Sequence, residues 1–275
     1  MAKTVKKEYF EDFEKCEKLA VVATIDDLGD PHMSLLTTLM AADERTMTVG
    51  QFTQGISKAN MAKRPKSGFA IVSLDQKLWT GFVNWRDVKT EGDVYIKYNN
   101  MQMWRFNTYF GIEKVHYGDL VSITDKEALN ILGIGLNALK VKRAVGKMKD
   151  RESEDILRPY AVKLCNTLGN PKFLSFINKD GYPVVAPVVQ AQPSLNDRMV
   201  FTAKPYAHMF EGLEAGARVA LFAVSMATES VLVKGVFSGF TNGVGYLDID
   251  KVYNSMPPVS KYTYPYEDYV KVESF

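Results

Sequence analysis

The residues best suited to chemistry lie in one short stretch, Gly50-Gln51-Phe52-Thr53-Gln54-Gly55-Ile56-Ser57-Lys58. Small and polar residues lead into GISKANMAKRP, which begins with a capping serine and stops at Pro65, the pattern of a short helix. A helix start carries unpaired N–H groups and the positive end of the peptide dipole, so it suits a phosphate. Ser57 can add its hydroxyl and Lys58 a point charge. Gly50 and Gly55, with Gln51, Thr53 and Gln54, keep the preceding loop small enough for a ligand to come close. The plainer reading stays open: Ser57 as a helix cap and Lys58 as a surface lysine.

A second concentration is EGDVYIKYNNMQMWRFNTYFG. Its Trp104, Arg105, Tyr109 and Phe110 suit stacking on a flat ring or clamping an anionic substrate. They suit the packed face of an extra helix equally well. The three histidines, His32, His116 and His208, are far apart in sequence. No H-E-x-x-H, paired-cysteine or G-x-S-x-G pattern occurs, which argues against a zinc enzyme or a serine hydrolase. No metal is expected, and no acid–base pair identifies a catalytic residue. GIGLNALK is the nearest approach to a G-x-G-x-x-G loop, and it falls inside a helical run.

The elements that must hold these residues are short. KEYFEDFEKCEK reads as an amphipathic helix, and LAVVATID as a strand ending at the turn Asp27-Leu28-Gly29-Asp30-Pro31. HMSLLTTLMAAD, TMTVGQF, GFAIVSLD and LWTGFVNW follow as strands. Short strands with few helices point to a small antiparallel barrel rather than a βαβ sheet. The second half repeats the order. FLSFINKDGYPVVAPVVQA mirrors AVVATIDDLGDPHMSLLTT, so that Gly29-Asp30-Pro31 faces Gly181-Tyr182-Pro183. GFAIVSLD is matched to RVALFAVS, Thr80-Gly81-Phe82-Val83 to Lys234-Gly235-Val236-Phe237, and Ile112–Tyr117 to Ile249–Asn254. The first half alone carries the aromatic insertion: 31 positions separate Gly81 from Ile112, against 14 between Gly235 and Ile249.

Length and composition agree with two globular domains. The chain has 275 residues, 46% hydrophobic and 24% charged, enough to bury real cores without disulfides or metals. A net charge of +2 gives no global attraction to nucleic acid or acidic lipid. Cys16 and Cys165 form no C-x-x-C pair and read as reduced thiols of a cytoplasmic protein. The N-terminus lacks the apolar run of a signal peptide, and the apolar stretch Ala128–Leu139 is too short to span a bilayer, so no membrane partner is expected. Residues 126–165 read as helical, turning basic from Lys140 to Arg151; a membrane-surface or nucleic-acid stripe is one reading of that run, and the solvated face of a connecting helix is the favoured one. A further helix is expected from Ser153-Glu154-Asp155 through Leu164. The domains are set at 1–125, a helical linker at 126–151, and 152–275.

The stretch from Leu19 to Arg86 resembles the FMN-binding split-barrel flavoproteins related to pyridoxamine 5'-phosphate oxidases. AVVATIDDLGDPHMSLL, TVGQFTQGISKANMAKRPKSGFAIVSLD and LWTGFVNW carry the resemblance in that order. It implies a mainly β fold with flanking helices (α+β), built as two tandem split β-barrels joined by a helical linker. It also implies FMN, with the phosphate at Ser57 and Lys58 and with Thr53 and Gly55 of the preceding loop among the cofactor-binding residues. Main-chain groups near Leu35, Leu36 and Thr37, with Gln51, would then face the ring edge, and Trp104, Arg105 and Tyr109 are candidates for ring or substrate contacts. The implied activity is an FMN-dependent oxidoreductase acting on an unknown small-molecule substrate or electron donor. Oxidation of pyridoxamine phosphate itself is not expected, because no substrate-phosphate site is found. A non-catalytic FMN-binding, electron-carrier or sensor module, and a deazaflavin- or haem-binding split barrel, are the alternatives. In that family the cofactor lies at a dimer interface, which a tandem chain can build internally as a pseudo-dimer; a further homodimer stays open. In the second half, Phe201-Thr202-Ala203-Lys204-Pro205-Tyr206-Ala207-His208-Met209 lacks the Ser-Lys pair, so one FMN per chain is expected.

Overall fold

The computed structural model describes residues 1–101, 111–148, 150–225, 227–254 and 261–266. Trp104, Arg105, Tyr109 and Phe110 lie outside them. A 3-10 turn (Lys7–Tyr9) and α1 (Phe10–Glu14) precede the first sheet, whose strands are β1 (Leu19–Ile25), β2 (Pro31–Leu35), β3 (Leu39–Ala41), β4 (Thr46–Gln51), β5 (Lys66–Val72), β6 (Lys77–Lys89), β7 (Lys114–Ile123) and β8 (Glu127–Ala128). Helix α2 (Ile56–Lys63) connects β4 to β5, and α3 (Asp93–Asn100) lies between β6 and β7. The strands pair in the order β2-β1-β5-β6-β7-β4-β3, with β8 on β6. Alternate residues supply one core: Ala20 and Val22, Met47 and Val49, Phe69 and Ile71, Trp79 and Val83. Phe13 of α1 closes it, edge-on to Trp79 with ring centres 5.2 Å apart. Val21 and Ala23 are buried as well. Burial on both faces is why β1 reads as an unbroken apolar run rather than an alternation.

Farther along the chain come α4 (Ile131–Gly146), α5 (Pro159–Asn166), β9 (Lys172–Phe176), β10 (Ala186–Pro187), β11 (Gln192–Ser194), β12 (Arg198–Phe201), β13 (Arg218–Val224), β14 (Ser230–Thr241), β15 (Val244–Asn254) and β16 (Lys261–Tyr264). The second sheet runs β10-β9-β13-β14-β15-β12-β11, the same order as the first. This is the expected fold class, mainly β with two curled split-barrel units and flanking helices. By contact density the chain divides into one unit of Met1–Ile131, Leu174–Ala186 and Tyr206–Leu213, and another of Leu132–Phe173, Pro187–Pro205 and Glu214–Phe275. In the second unit, Val141 of α4 packs with Val200 and Val244.

The two sheets correspond atom by atom at a constant offset of 152 residues. Val5 N donates to Glu44 O as Leu157 N does to Asn196 O. Leu36 N to Ala20 O is repeated by Val188 N to Lys172 O, and Leu39 N to Leu36 O by Ala191 N to Val188 O. Side chains obey the same offset. Asp26 Oδ1 accepts from the N–H groups of Leu28 and Asp30, and Asn178 Oδ1 from those of Asp180 and Tyr182. Gly29 and Gly181 close these turns at φ +85° and +78°, a conformation that favours glycine. Gln76 N to Ser73 O is answered by Thr228 N to Ser225 O. The offset therefore holds from Val5 to Ser73 and beyond without insertion.

Several sequence expectations change. GFAIVSLD belongs two residues further along in the second half, because Ser73 falls on Ser225. The match of Ile112–Tyr117 to Ile249–Asn254 fails, since it sets the start of β7 against the end of β15. Val83 pairs with Leu120 where its counterpart Gly235 pairs with Ile249, which also sets Thr80–Val83 on Leu232–Gly235, two residues before the expected Lys234–Phe237. HMSLLTTLMAAD is two strands, broken where Leu39 N turns back to Leu36 O and Thr38 Oγ1 donates to Gly50 O. The helix expected from Ser153 begins only at Pro159. Buried Ile156 and Leu157 and the Leu157–Asn196 bond tie the preceding segment down, and proline fits the first helical turn.

Candidate anion-binding site

Helix α2 lays its buried face, Ser57, Asn60 and Met61, against β1 and β2. Asn60 Nδ2 donates to Thr24 Oγ1 at 3.0 Å, and Thr24 Oγ1 donates to His32 O at 3.2 Å. Ser57 Oγ and Ser34 Oγ share a proton-bearing contact of 2.6 Å. The cap of α2 is Gly55 in extended backbone, so Ser57 is not the capping residue; it sits inside the first turn. Lys58 N and Ala59 N both donate to Gly55 O. The N–H groups of Ile56 and Ser57 have no turn of helix before them to accept, as at any helix start.

Lys58 follows Ser57 in that first turn, half-buried. Burial alone pushes its ammonium down to about 8. Two other lysines are pushed to about 8 by burial, Lys18 and Lys172. Both are answered by carbonyls: Lys18 Nζ donates to Lys15 O and Thr37 O at 2.8 Å, and Lys172 Nζ to Thr167 O at 2.9 Å and Asn170 O at 3.2 Å. Among the described residues the Lys58 ammonium has no acceptor and no acid. A cation taken out of water without a partner is costly. An anion supplied from outside removes that cost.

His116, on β7, is the nearby titratable group. Burial, then the charges of Lys58 and Lys114, hold its imidazole down to about 4, so the ring is neutral at physiological pH. Its Nε2–H donates to Gln51 Oε1 at 2.7 Å. Gln51 Nε2 in turn donates to Gln54 Oε1 and Glu113 Oε2, both at 3.1 Å. The Gln51 side chain is thus fully engaged and acts as a strut rather than a free donor. Sequence reading passed over His116 and Glu113, whose partnership depends on β4 pairing Val49 with His116. It also passed over Ser34, a plain strand serine whose only signal is its place five residues past Gly29 in the turn-and-strand pattern.

The loop residues divide. At Gly55 an added Cβ would meet nothing within 4 Å, so the approach to the helix start is open. At Gly50 it would meet Ile112 Cδ1 at 2.8 Å and the Tyr98 ring at 3.1 Å. Gly50 is therefore a packing glycine, set by α3, and not a ligand-facing one. Thr53 is exposed on the loop. Just past β2, Leu36 N donates to Ala20 O and Leu36 O accepts from Leu39 N, while Thr37 O accepts from Lys18 Nζ. Antiparallel alternation then turns the N–H and C=O of Leu35 outward, on the strand that ends the sheet. Of the three main-chain positions, Leu35 is the one whose groups face away from the ladder.

By the 152 offset, Ser57 and Lys58 fall on Met209 and Phe210, and Ser34 on Ala186. These three polar side chains are all apolar at their counterparts. A cavity of about 360 Å³ within the first unit is lined by Phe69, Thr80, Phe82, His208 and Met209, among others. It flanks this apolar counterpart and includes none of Ser34, Gln51, Ser57 or Lys58. Among the described residues no group of three or more His, Cys, Asp or Glu side chains could hold a metal ion. No helix among them is long and apolar enough to cross a membrane.

No family model matches the chain, and no curated protein does. Among solved structures it is similar to HupZ of Group A Streptococcus, at 19% identity over 45% of this chain and 99% of that one, with a TM-score of 0.36. An FMN-binding protein from Syntrophomonas wolfei is similar at 15% identity over 45% of this chain and 88% of that one, TM-score 0.36. An F420 reductase is similar at 14% identity over 44% and 98%, TM-score 0.35. The fold described above rests on the chain's own strand order.

Proposed function

We propose that the chain is a flavoprotein that binds FMN through the start of α2 and serves as an oxidoreductase for a small-molecule substrate or electron donor. The observation that carries this reading is the half-buried Lys58 ammonium, without a partner among the described residues, beside the Ser57 hydroxyl and the N–H groups of the first helical turn. That donor set fits a phosphate dianion: one charge, one hydroxyl and two main-chain donors on an open approach. The outward N–H and C=O of Leu35 suit the polar edge of a flavin ring, and the Gln51–His116 strut fixes the floor of the loop. When bound, FMN would supply hydride or single-electron chemistry, and the protein would supply binding and tuning. The neutral His116 keeps a second positive charge from crowding Lys58. Met209 and Phe210 at the counterpart support a single FMN per chain.

Titration of FMN and riboflavin by fluorescence quenching tests this. A charge-assisted hydrogen bond contributes about 1.5–3 kcal/mol, so Lys58→Ala should weaken FMN binding by roughly 10- to 150-fold. Riboflavin, which has no phosphate, should bind nearly as before. A colourless protein that quenches neither flavin would end the proposal. Equal loss of both flavins in Lys58→Ala would place the lysine in the fold rather than at the phosphate.

A further inference from the structure

Helix α4 buries Ile134, Ala138 and Val141 and leaves Leu132, Leu136 and Leu139 outside. Both sets repeat at i, i+4, i+7, so each forms a stripe on one helix with two apolar faces. The outer leucines are 84%, 71% and 56% exposed. Three neighbouring leucines in that state ask for a cover. Arg143 continues the outer stripe one turn on, and Lys140, Lys142 and Lys147 are exposed around it. From Ala128 to Lys149 the sequence holds no acidic residue at all.

We infer that this face of α4 docks the protein on an anionic lipid surface. The leucines enter the headgroup–acyl boundary, and the lysines and Arg143 meet the lipid phosphates, as on amphipathic helices that lie in the interface plane. Charge selects this occupant. A second copy of the chain would bring two acid-free cationic helices face to face. A nucleic acid would satisfy the charges and leave the leucines in water. The association is peripheral and reversible, since α4 spans nothing and its inner stripe stays on the second sheet.

The test is co-sedimentation of the full chain with phosphatidylcholine vesicles, with and without phosphatidylglycerol. The wild type should pellet with the anionic vesicles only and be released by high salt. Leu136→Glu should weaken binding roughly tenfold or more. Lys140→Gln with Arg143→Gln, which keeps the leucines, should weaken it about 30-fold. Unchanged circular dichroism and melting would show that each variant is folded, because the altered side chains are exposed. Failure to pellet with anionic vesicles overturns the inference, as does pelleting that Leu136→Glu leaves intact. A wild-type dimer in light scattering that Leu136→Glu converts to a monomer would also overturn it, and would assign the leucines to a second copy.

Discussion

At the scale of single residues, the informative contrast is among buried lysines. Lys18 and Lys172 spend their protons on backbone carbonyls, and Lys58 finds no acceptor among the described residues. The same burial makes the proposed site pH-dependent. The unliganded Lys58 loses its proton near 8, well below the 10.5 of a free lysine. FMN affinity should therefore be level between about pH 7 and 8, where the phosphate is dianionic, and fall above pH 8, by up to about tenfold per unit, until the pKa of the liganded lysine is reached. The sign follows because only the protonated form attracts phosphate. Riboflavin should show no such fall. A flat FMN profile between pH 7 and 9.5 would remove Lys58 from the phosphate. Ser57 and Lys58 were legible in the sequence because small residues before a helix leave a recognisable pattern. Ser34, Glu113 and His116 were not, since strand pairing brings them to the loop from elsewhere in the chain.

Between strands, glycine marks close approach. At Gly235 an added Cβ would meet Asp248 O at 1.8 Å, and at Gly81 it would meet Ser122 O at 2.4 Å. Both contacts are to backbone of the facing strand, where neither partner can swing away. Gly235→Ala should cost about 2–3 kcal/mol in urea denaturation. Gly135→Ala, within α4, meets nothing within 4 Å. It should stabilise by about 0.5–1 kcal/mol through helix propensity and the entropy of the unfolded chain. If the two substitutions shift stability alike, the close approach is not what selects glycine in β14. Helix starts proved harder to read than strands. Ser153-Glu154-Asp155 has every local feature of a helix N-terminus, yet burial of Ile156 and Leu157 holds it extended. A single β2–β3 run was likewise a fair reading of residues 32–43 until Thr38 found Gly50 across the sheet.

For the whole molecule, the repeat was legible and its register was not. Turn signals survive divergence, because Gly29 and Gly181 must both take a left-handed conformation; strand residues do not, because any apolar residue of suitable size fills a core. Hence the Gly-x-Pro anchors were placed correctly, while three of the strand matches slipped. The proposed single site makes the stoichiometry a test: FMN should saturate at one per chain, and Lys204→Ala should leave affinity unchanged. Two equivalents per chain would show that Met209 and Phe210 do not disqualify the counterpart. The constant offset of 152 has one more consequence. Strands that share a register over some seventy residues are geometrically interchangeable while the chain is still collapsing, so β5 could enter the place of β13, and tandem repeats are prone to such misassembly. Between Val5–Lys77 and its counterpart, only Ile25, Gly29, Pro31, Met47, Val72 and Ser73 recur as Ile177, Gly181, Pro183, Met199, Val224 and Ser225. Divergence of the side chains gives each strand its own neighbours to recognise, and so guards the chain against pairing with itself in the wrong half.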